Sequence, residues 1–214
     1  MLRSLWKSPD FANFIEIIGG LHLSRDLIPT PSQTVGPFFH LGCTKTHSVN
    51  CLAGSEADGE HIRIICRVLD RDGAPVSDAM IELWQANAAG KYHHPDDPQS
   101  TAADPDCSGF GRLATDRDGV CVFETIKPGR VPGNEGTRQA PHLNVSLFAR
   151  GVLKRLATRI YFDGDPANPE DPILALVPPE RRNTLMARAD PSHPTDWRID
   201  VRLSGECETV FFDI

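Results

Sequence analysis

The stretch QAPHLNVSLFAR, Gln139 to Arg150, alternates along its length. Leu143, Val145, Leu147 and Ala149 share one side, and His142, Asn144, Ser146 and Phe148 share the other. That is the period of an extended chain with one face turned to a core. The same period of two runs through HIRIICRVLD, AMIELWQAN, GVCVFETI, LATRIYFDG, DWRIDVRLSG and CETVFFDI. Gly, Pro and Asp punctuate the gaps, so the pattern predicts about seven short strands and an all-β fold, a β-sandwich or an open barrel.

Helical patterning is confined to two places. In SPDFANFIEIIGG, Ser8 can cap, Pro9 fits the first turn, and Phe11, Phe14, Ile15 and Ile18 form an apolar side before the glycines stop it. PPERRNTLMARAD predicts a second helix that starts at Pro179, with Leu185 and Met186 apolar and a charged, solvated face. Between the first helix and the strands lies IPTPSQTVGPFFHLG, with three prolines and two glycines from Pro29 to Gly42, which excludes regular structure. Such an arm has to be held by the domain or by a partner. The terminal VFFDI is apolar enough to pack as a last strand or against another chain.

Length changes this picture little. A chain of 214 residues buries roughly 70% of its unfolded surface, enough for a core without disulfides or structural metal. The expected organisation is an N-terminal helix and arm over 1–42, packing on a partner, and one β-sandwich domain over 43–214. A formal net charge of -7 argues against nucleic-acid or anionic-membrane binding. Met1 to Gly20 carries Asp10 and Glu16 and no continuous apolar run, so it resembles neither a signal peptide nor a span, and a cytoplasmic location is expected. Cys43, Cys51, Cys66, Cys107, Cys121 and Cys207 lack zinc spacing, and Cys66 and Cys121 read as reduced thiols of the core.

Three motifs could carry chemistry. The two DRDG pieces, Asp70 to Gly73 and Asp116 to Gly119, open like calcium loops but lack the later glycine and the bidentate glutamate, and so read as hairpin turns. In LWQANAAGKYHHPDD a strand ending at Trp84 and Gln85 leads through a glycine turn to Tyr92, His93 and His94. The adjacent histidines diverge on an extended segment, which favours a solvated loop. His142 and Asn144 stand two apart on one strand face, where two imidazoles would chelate a metal but one position holds an amide. Trp84, Phe110, Tyr161 and Phe162 read as core or interface aromatics.

Taken in order, TPSQTVGPFF, IELWQANAAGKY, GFGRLATDRDGVCVFETIKPG, APHLNVSLFARG, TRIYFDGDP and GECETVFFDI resemble the intradiol ring-cleaving dioxygenases from about Pro29 to the C-terminus. The resemblance implies a β-sandwich and a mononuclear Fe(III) held by two tyrosines and two histidines. Hard ferric iron suits that set because phenolates neutralise it and imidazoles complete its shell. The iron-bound catecholate then reacts with O2. Matched to that pattern, the first tyrosine falls on Tyr92 and the second on Val131, the histidines fall on His142 and Asn144, and the active-site arginine falls on Gln139. Valine cannot bind a cation and an amide binds iron poorly, so the resemblance implies a vestigial site, with no metal on this chain.

It further implies a place among the α chains that pair with an iron-bearing β subunit in a larger αβ oligomer. Thr34, Gly36, Pro37 and Arg150 would then face the partner's substrate cavity, where a guanidinium suits an aromatic carboxylate such as protocatechuate. An ordinary surface ion pair is the plainer role for Arg150. A self-sufficient enzyme with an altered ligand set, drawing on His40, His93 or His94, and a non-catalytic β-sandwich scaffold remain as alternatives.

Overall fold

The structure is a computed structural model that describes residues 33–36, 39, 41–45 and 47–213, the side chain of residue 135 excepted. The predicted N-terminal helix, Pro37 and His40 lie outside the described residues. Eight strands follow: β1 His61–Leu69, β2 Met80–Trp84, β3 Phe110–Ala114, β4 Val120–Ile126, β5 His142–Phe148, β6 Leu156–Phe162, β7 Met186–Asp190 and β8 His193–Arg202. They run in the spatial order β3-β2-β5-β6-β7-β8-β1-β4.

The order describes two four-stranded layers that share a join. β3, β2, β5 and β6 pair antiparallel. β1 pairs antiparallel with β4 and parallel with β8. β7 links the layers, pairing β6 only at Tyr161–Met186 and Phe162–Ala187 and turning onto β8 through a bulge at Ala189/Asp190. The alternation read from the sequence is what fills the space between the layers. Ile62, Ile64, Cys66 and Val68 of β1 meet Leu143, Val145 and Leu147 of β5 in one core, with Ile81, Phe123, Ile160 and Val201. This is the expected β-sandwich.

Several local expectations hold. Cys66 and Cys121 are buried free thiols that face each other in the β1–β4 register. Burial and that proximity push the Cys121 thiol well above its ordinary pKa, the Cys66 contact leading. In both DRDG turns the aspartate is spent on backbone: Asp70 Oδ1 accepts from Asp72 and Ala74 N–H, and Asp116 Oδ1 from Asp118 and Val120 N–H, each at 2.9 Å. Gly73 and Gly119 supply the positive φ that closes these turns.

Two expectations need correction, and one strand went unpredicted. PPERRNTLMARAD is not one helix; a 3₁₀ helix covers Pro179–Leu185, and Met186–Asp190 is β7. Ala187 is fully buried there because the edge of β6 offers Tyr161 and Phe162 for pairing, a tertiary gain that outweighs local propensity. CETVFFDI forms no strand. Since β7 covers only the end of β6, the tail takes the remaining edge at a single bridge, Phe212 N–H donating to Ala157 at 2.8 Å. Phe110–Ala114, unpredicted because two glycines flank Phe110, is a full strand. Gly111 is small there because a Cβ would come within 2.5 Å of Leu52 Cδ1. Among the described residues no helix is long and apolar enough to cross a membrane.

Candidate functional site

The site begins where β2 ends. After Trp84 the chain loops out, and Asn87 Oδ1 accepts from Ala89 N–H and Lys91 N–H at 3.0 and 2.9 Å, so the loop returns sharply. Gly90 and Gly129 let a second segment lie against it: a Cβ on Gly90 would sit 2.0 Å from the Arg130 carbonyl oxygen. This close passage sets Val131 beside the Tyr92 loop. Asp97 ties the far side, accepting from Tyr92 N–H at 2.8 Å and Gln99 N–H at 2.9 Å. Burial raises its carboxyl, but those bonds and the Lys91 ammonium outweigh burial and hold it below the ordinary range.

Tyr92 therefore stacks on Trp84, with centroids 5.8 Å apart and planes 9° from parallel. Beneath them β5 presents its polar face. A cavity of about 990 Å³ results, lined by Trp84, Tyr92, Val131, Gln139 and Asn144 among others. So the structure brings together four of the five residues matched to the metal pattern. The fifth, His142, lies on the same face of β5 two residues from Asn144 and is only 2% exposed.

The donors and acceptors of these groups decide what the cavity can hold. Asn144 Nδ2 donates to the Tyr92 phenol oxygen at 3.1 Å and lies 3.4 Å from the Trp84 carbonyl. Burial raises the Tyr92 phenol above its ordinary pKa, with the Asn144 bond and the Arg159 charge opposing. His142 Nδ1 lies 2.7 Å from the Ala140 carbonyl oxygen, so it carries the proton and Nε2 keeps its lone pair. Nε2 is buried without a hydrogen-bond partner among the described residues. Burial and then the Arg159 charge bring the His142 pKa down to about 4, so the ring is neutral.

Sequence reasoning missed Arg159. Opposite Asn144 in the β5–β6 register, it donates through Nη1 to Gln139 Oε1 at 2.7 Å and to the Tyr161 hydroxyl at 3.3 Å. Tyr161, opposite His142, passes the chain on to Asp171 Oδ1 at 3.2 Å. Asp171 is fully buried and accepts from the N–H groups of Ala140, Ile173 and Leu174. The alternation of LATRIYF sets Arg159 and Tyr161 on one face of β6, and the register with β5 makes it the face of Asn144 and His142.

These residues do not fit a four-ligand iron site. His142 does, with its fixed tautomer and orphaned Nε2. Tyr92 is a neutral phenol already engaged by an amide, Val131 has no donor atom, and Asn144 points N–H rather than a lone pair at its neighbour. Among the described residues no three His, Cys, Asp or Glu side chains cluster as a metal site. His93 and His94 are exposed. His94 edges Trp84 at 6.5 Å on the cavity rim, and its Nδ1 accepts from Asp96 N–H at 3.2 Å.

The second predicted group lies elsewhere on the same layer. Thr34 Oγ1 accepts from Gly151 N–H at 2.7 Å, which lays the described part of the arm beside Arg150. Gly36, Phe39, Met80, Phe148 and Arg150 border a recess of about 450 Å³. Phe39 packs on Phe148 at 5.3 Å. Arg150 is three-quarters exposed and reaches Asp78 through Nε at 3.4 Å, the surface ion pair considered for it.

Comparison with known proteins identifies the family. The profile of a dioxygenase family matches residues 34–205. The protocatechuate 3,4-dioxygenase alpha chain of Burkholderia cepacia is 43% identical over 86% of this chain and 97% of its own. The beta chain from the same organism is 38% identical over 83% of this chain and 77% of its own. Among solved structures, the dioxygenase domain of a dioxygenase carbohydrate-binding protein fusion from Streptomyces sp. SirexAA-E superposes with a TM-score of 0.56 at 26% identity, over 83% of this chain and 99% of that one.

Proposed function

The chain belongs to the intradiol dioxygenase family, and from that premise we propose that it is the α subunit of a protocatechuate 3,4-dioxygenase. The holoenzyme opens protocatechuate with O2 between its hydroxyl-bearing carbons to give 3-carboxy-cis,cis-muconate. In this reading the Fe(III) resides on a β subunit and supplies the binding and activation of the catecholate. This chain contributes the wall of that subunit's cavity. The observation that carries the reading is the Asn144–Tyr92 hydrogen bond beside Val131: two positions that should aim lone pairs at one metal instead satisfy each other.

The chain's own residues would act on the substrate's carboxylate end. Arg150 is exposed beside an apolar recess, and its fork of donors matches two carboxylate oxygens. Its contact with Asp78 is made through Nε, an exposed pair of small worth that a carboxylate ligand can displace. Thr34 and Gly36 would narrow the entrance. Thr34, fixed to Gly151 N–H, holds that segment of arm next to Arg150.

The test is the metal content and visible absorption of this chain purified alone, and again after co-expression with its candidate β partner. Iron and a tyrosinate-to-iron charge-transfer band that require the partner are the expected result. Stoichiometric iron on the lone chain would refute the assignment and favour a self-sufficient enzyme.

A further inference from the structure

We infer that Asp78 is the positioning residue for Arg150: a carboxylate locked at the outer end of β2 that holds the guanidinium by Nε and leaves Nη1 and Nη2 to a carboxylate ligand. The inference rests on the reading of Arg150 as the group that meets the substrate's carboxylate, and deepens it by naming what aims that group.

Register is the first argument. Met80 of β2 stands opposite Phe148 of β5 at the end of their ladder. Asp78 and Arg150 each lie two residues further out, where the next pair on that face would fall. Asp78, Met80, Phe148 and Arg150 all border the recess of about 450 Å³, together with Gly36 and Phe39. The Asp78–Arg150 contact is therefore part of the wall of that recess.

Backbone is the second. Asp78 has φ of 58°, in the left-handed region that aspartate enters more readily than most side chains but still at a cost. Its surroundings enforce that conformation. Asp78 N–H donates to the Thr115 carbonyl at 3.1 Å, and Thr115 N–H donates to the Ala79 carbonyl at 2.8 Å. Thr115 Oγ1 accepts from Ala79 N–H at 3.0 Å and donates to the Val76 carbonyl at 2.7 Å, with Thr115 and Ala79 both buried. The carboxylate thus starts from a fixed point, whereas Arg150 is a long side chain three-quarters exposed. Strain kept at a residue that orients another is offset where the orientation is used.

Chemistry is the third. The ion pair runs through Nε at 3.4 Å, and among the described residues no hydrogen bond takes Nη1 or Nη2. Parallel N–H bonds from those two nitrogens match the two oxygens of a carboxylate. A ligand that takes them need not displace Asp78. The charge of Asp78 repels such a ligand, while its hold on Nε spares the arginine freedom it would otherwise lose on binding. Repulsion and aiming therefore act on KM with opposite signs.

The test uses the complex assembled with the β partner. Asp78→Gly removes the carboxylate and accepts the positive φ without strain. It should raise KM for protocatechuate about threefold or more and lower kcat by less. The inhibition constant of catechol, the same ring without the carboxylate, should not rise. Asp78→Asn keeps an acceptor for Nε and tolerates the left-handed backbone, so it should hold KM at or below the parent value. In an Arg150→Ala background, Asp78→Gly should change KM no further. A KM that falls or stays level on Asp78→Gly, while Arg150→Ala raises it, would overturn the inference. An equal rise in the catechol inhibition constant would do the same. The parent reading fails by a separate result, a KM that Arg150→Ala leaves unmoved.

Discussion

Asn144 Nδ2 donates to the Tyr92 phenol oxygen at 3.1 Å, and Tyr92 lies flat against Trp84. A residue matched to a metal ligand has become part of a packed, hydrogen-bonded wall. Tyr92→Phe should then cost about 1 kcal/mol of stability, the usual net value of one hydrogen bond. The assembled enzyme should keep its iron and its turnover within about twofold, since about 0.4 kcal/mol corresponds to a factor of two. Denaturant midpoints, iron analysis and steady-state kinetics check this. Loss of iron on Tyr92→Phe would return Tyr92 to the status of ligand.

Arg150 and Asp78 are in contact at 3.4 Å, with the arginine largely exposed. Exposed pairs contribute about 0–1 kcal/mol, so Arg150→Ala should leave the unfolding midpoint nearly unmoved. In the assembled complex it should raise KM for protocatechuate more than it lowers kcat, the signature of lost uniform binding. An unchanged KM would leave Arg150 with only its ion pair.

The legible parts of this molecule were those written in local periodicity. The core face of β5, the two Asp-Gly turns and the buried thiols of Cys66 and Cys121 follow from alternation and turn chemistry within a few residues. β7 and the tail were illegible because their conformation depends on which edge of β6 is unpaired, a fact stored far away in the chain. In the site, the substitutions Val131 and Asn144 could be read by resemblance, but Arg159 could not be weighed. Its importance comes from standing opposite Asn144 in a register that no local pattern reveals. Likewise, nothing local in NPEDP marks Asp171, which the fold buries beneath Tyr161.

His142 gives a pH prediction with a definite sign. Burial, with Arg159 adding, lowers its pKa from an ordinary 6.5 to about 4. Between those values the unfolded chain binds a proton that the folded chain refuses. Stability from this residue is therefore intact above about pH 6.5 and falls as pH drops toward 4, by at most about 3 kcal/mol. His142→Gln should flatten that part of the stability profile relative to the parent, the carboxylate contribution common to both cancelling in the difference. Parallel profiles from pH 4 to 7 would show that the ring is protonated as easily in the fold as outside it.

Asp171 supports the Arg159 arrangement from below. Its two oxygens accept from Ala140, Ile173 and Leu174 N–H and from the Tyr161 hydroxyl, and the residue is fully buried. Asp171→Ala would strand several donors and leave the guanidinium without its balancing charge, which predicts a loss of about 3–5 kcal/mol. Asp171→Asn keeps one acceptor oxygen for Ile173, Leu174 and Tyr161 while losing the charge and the acceptor of Ala140 N–H, and so should cost less. The difference between the two variants, read from denaturant midpoints, separates hydrogen bonding from charge. If both variants lose the same stability, the hydrogen bonds an amide can still accept contribute nothing separable, and the carboxylate's charge is what the Arg159–Tyr161 chain depends on.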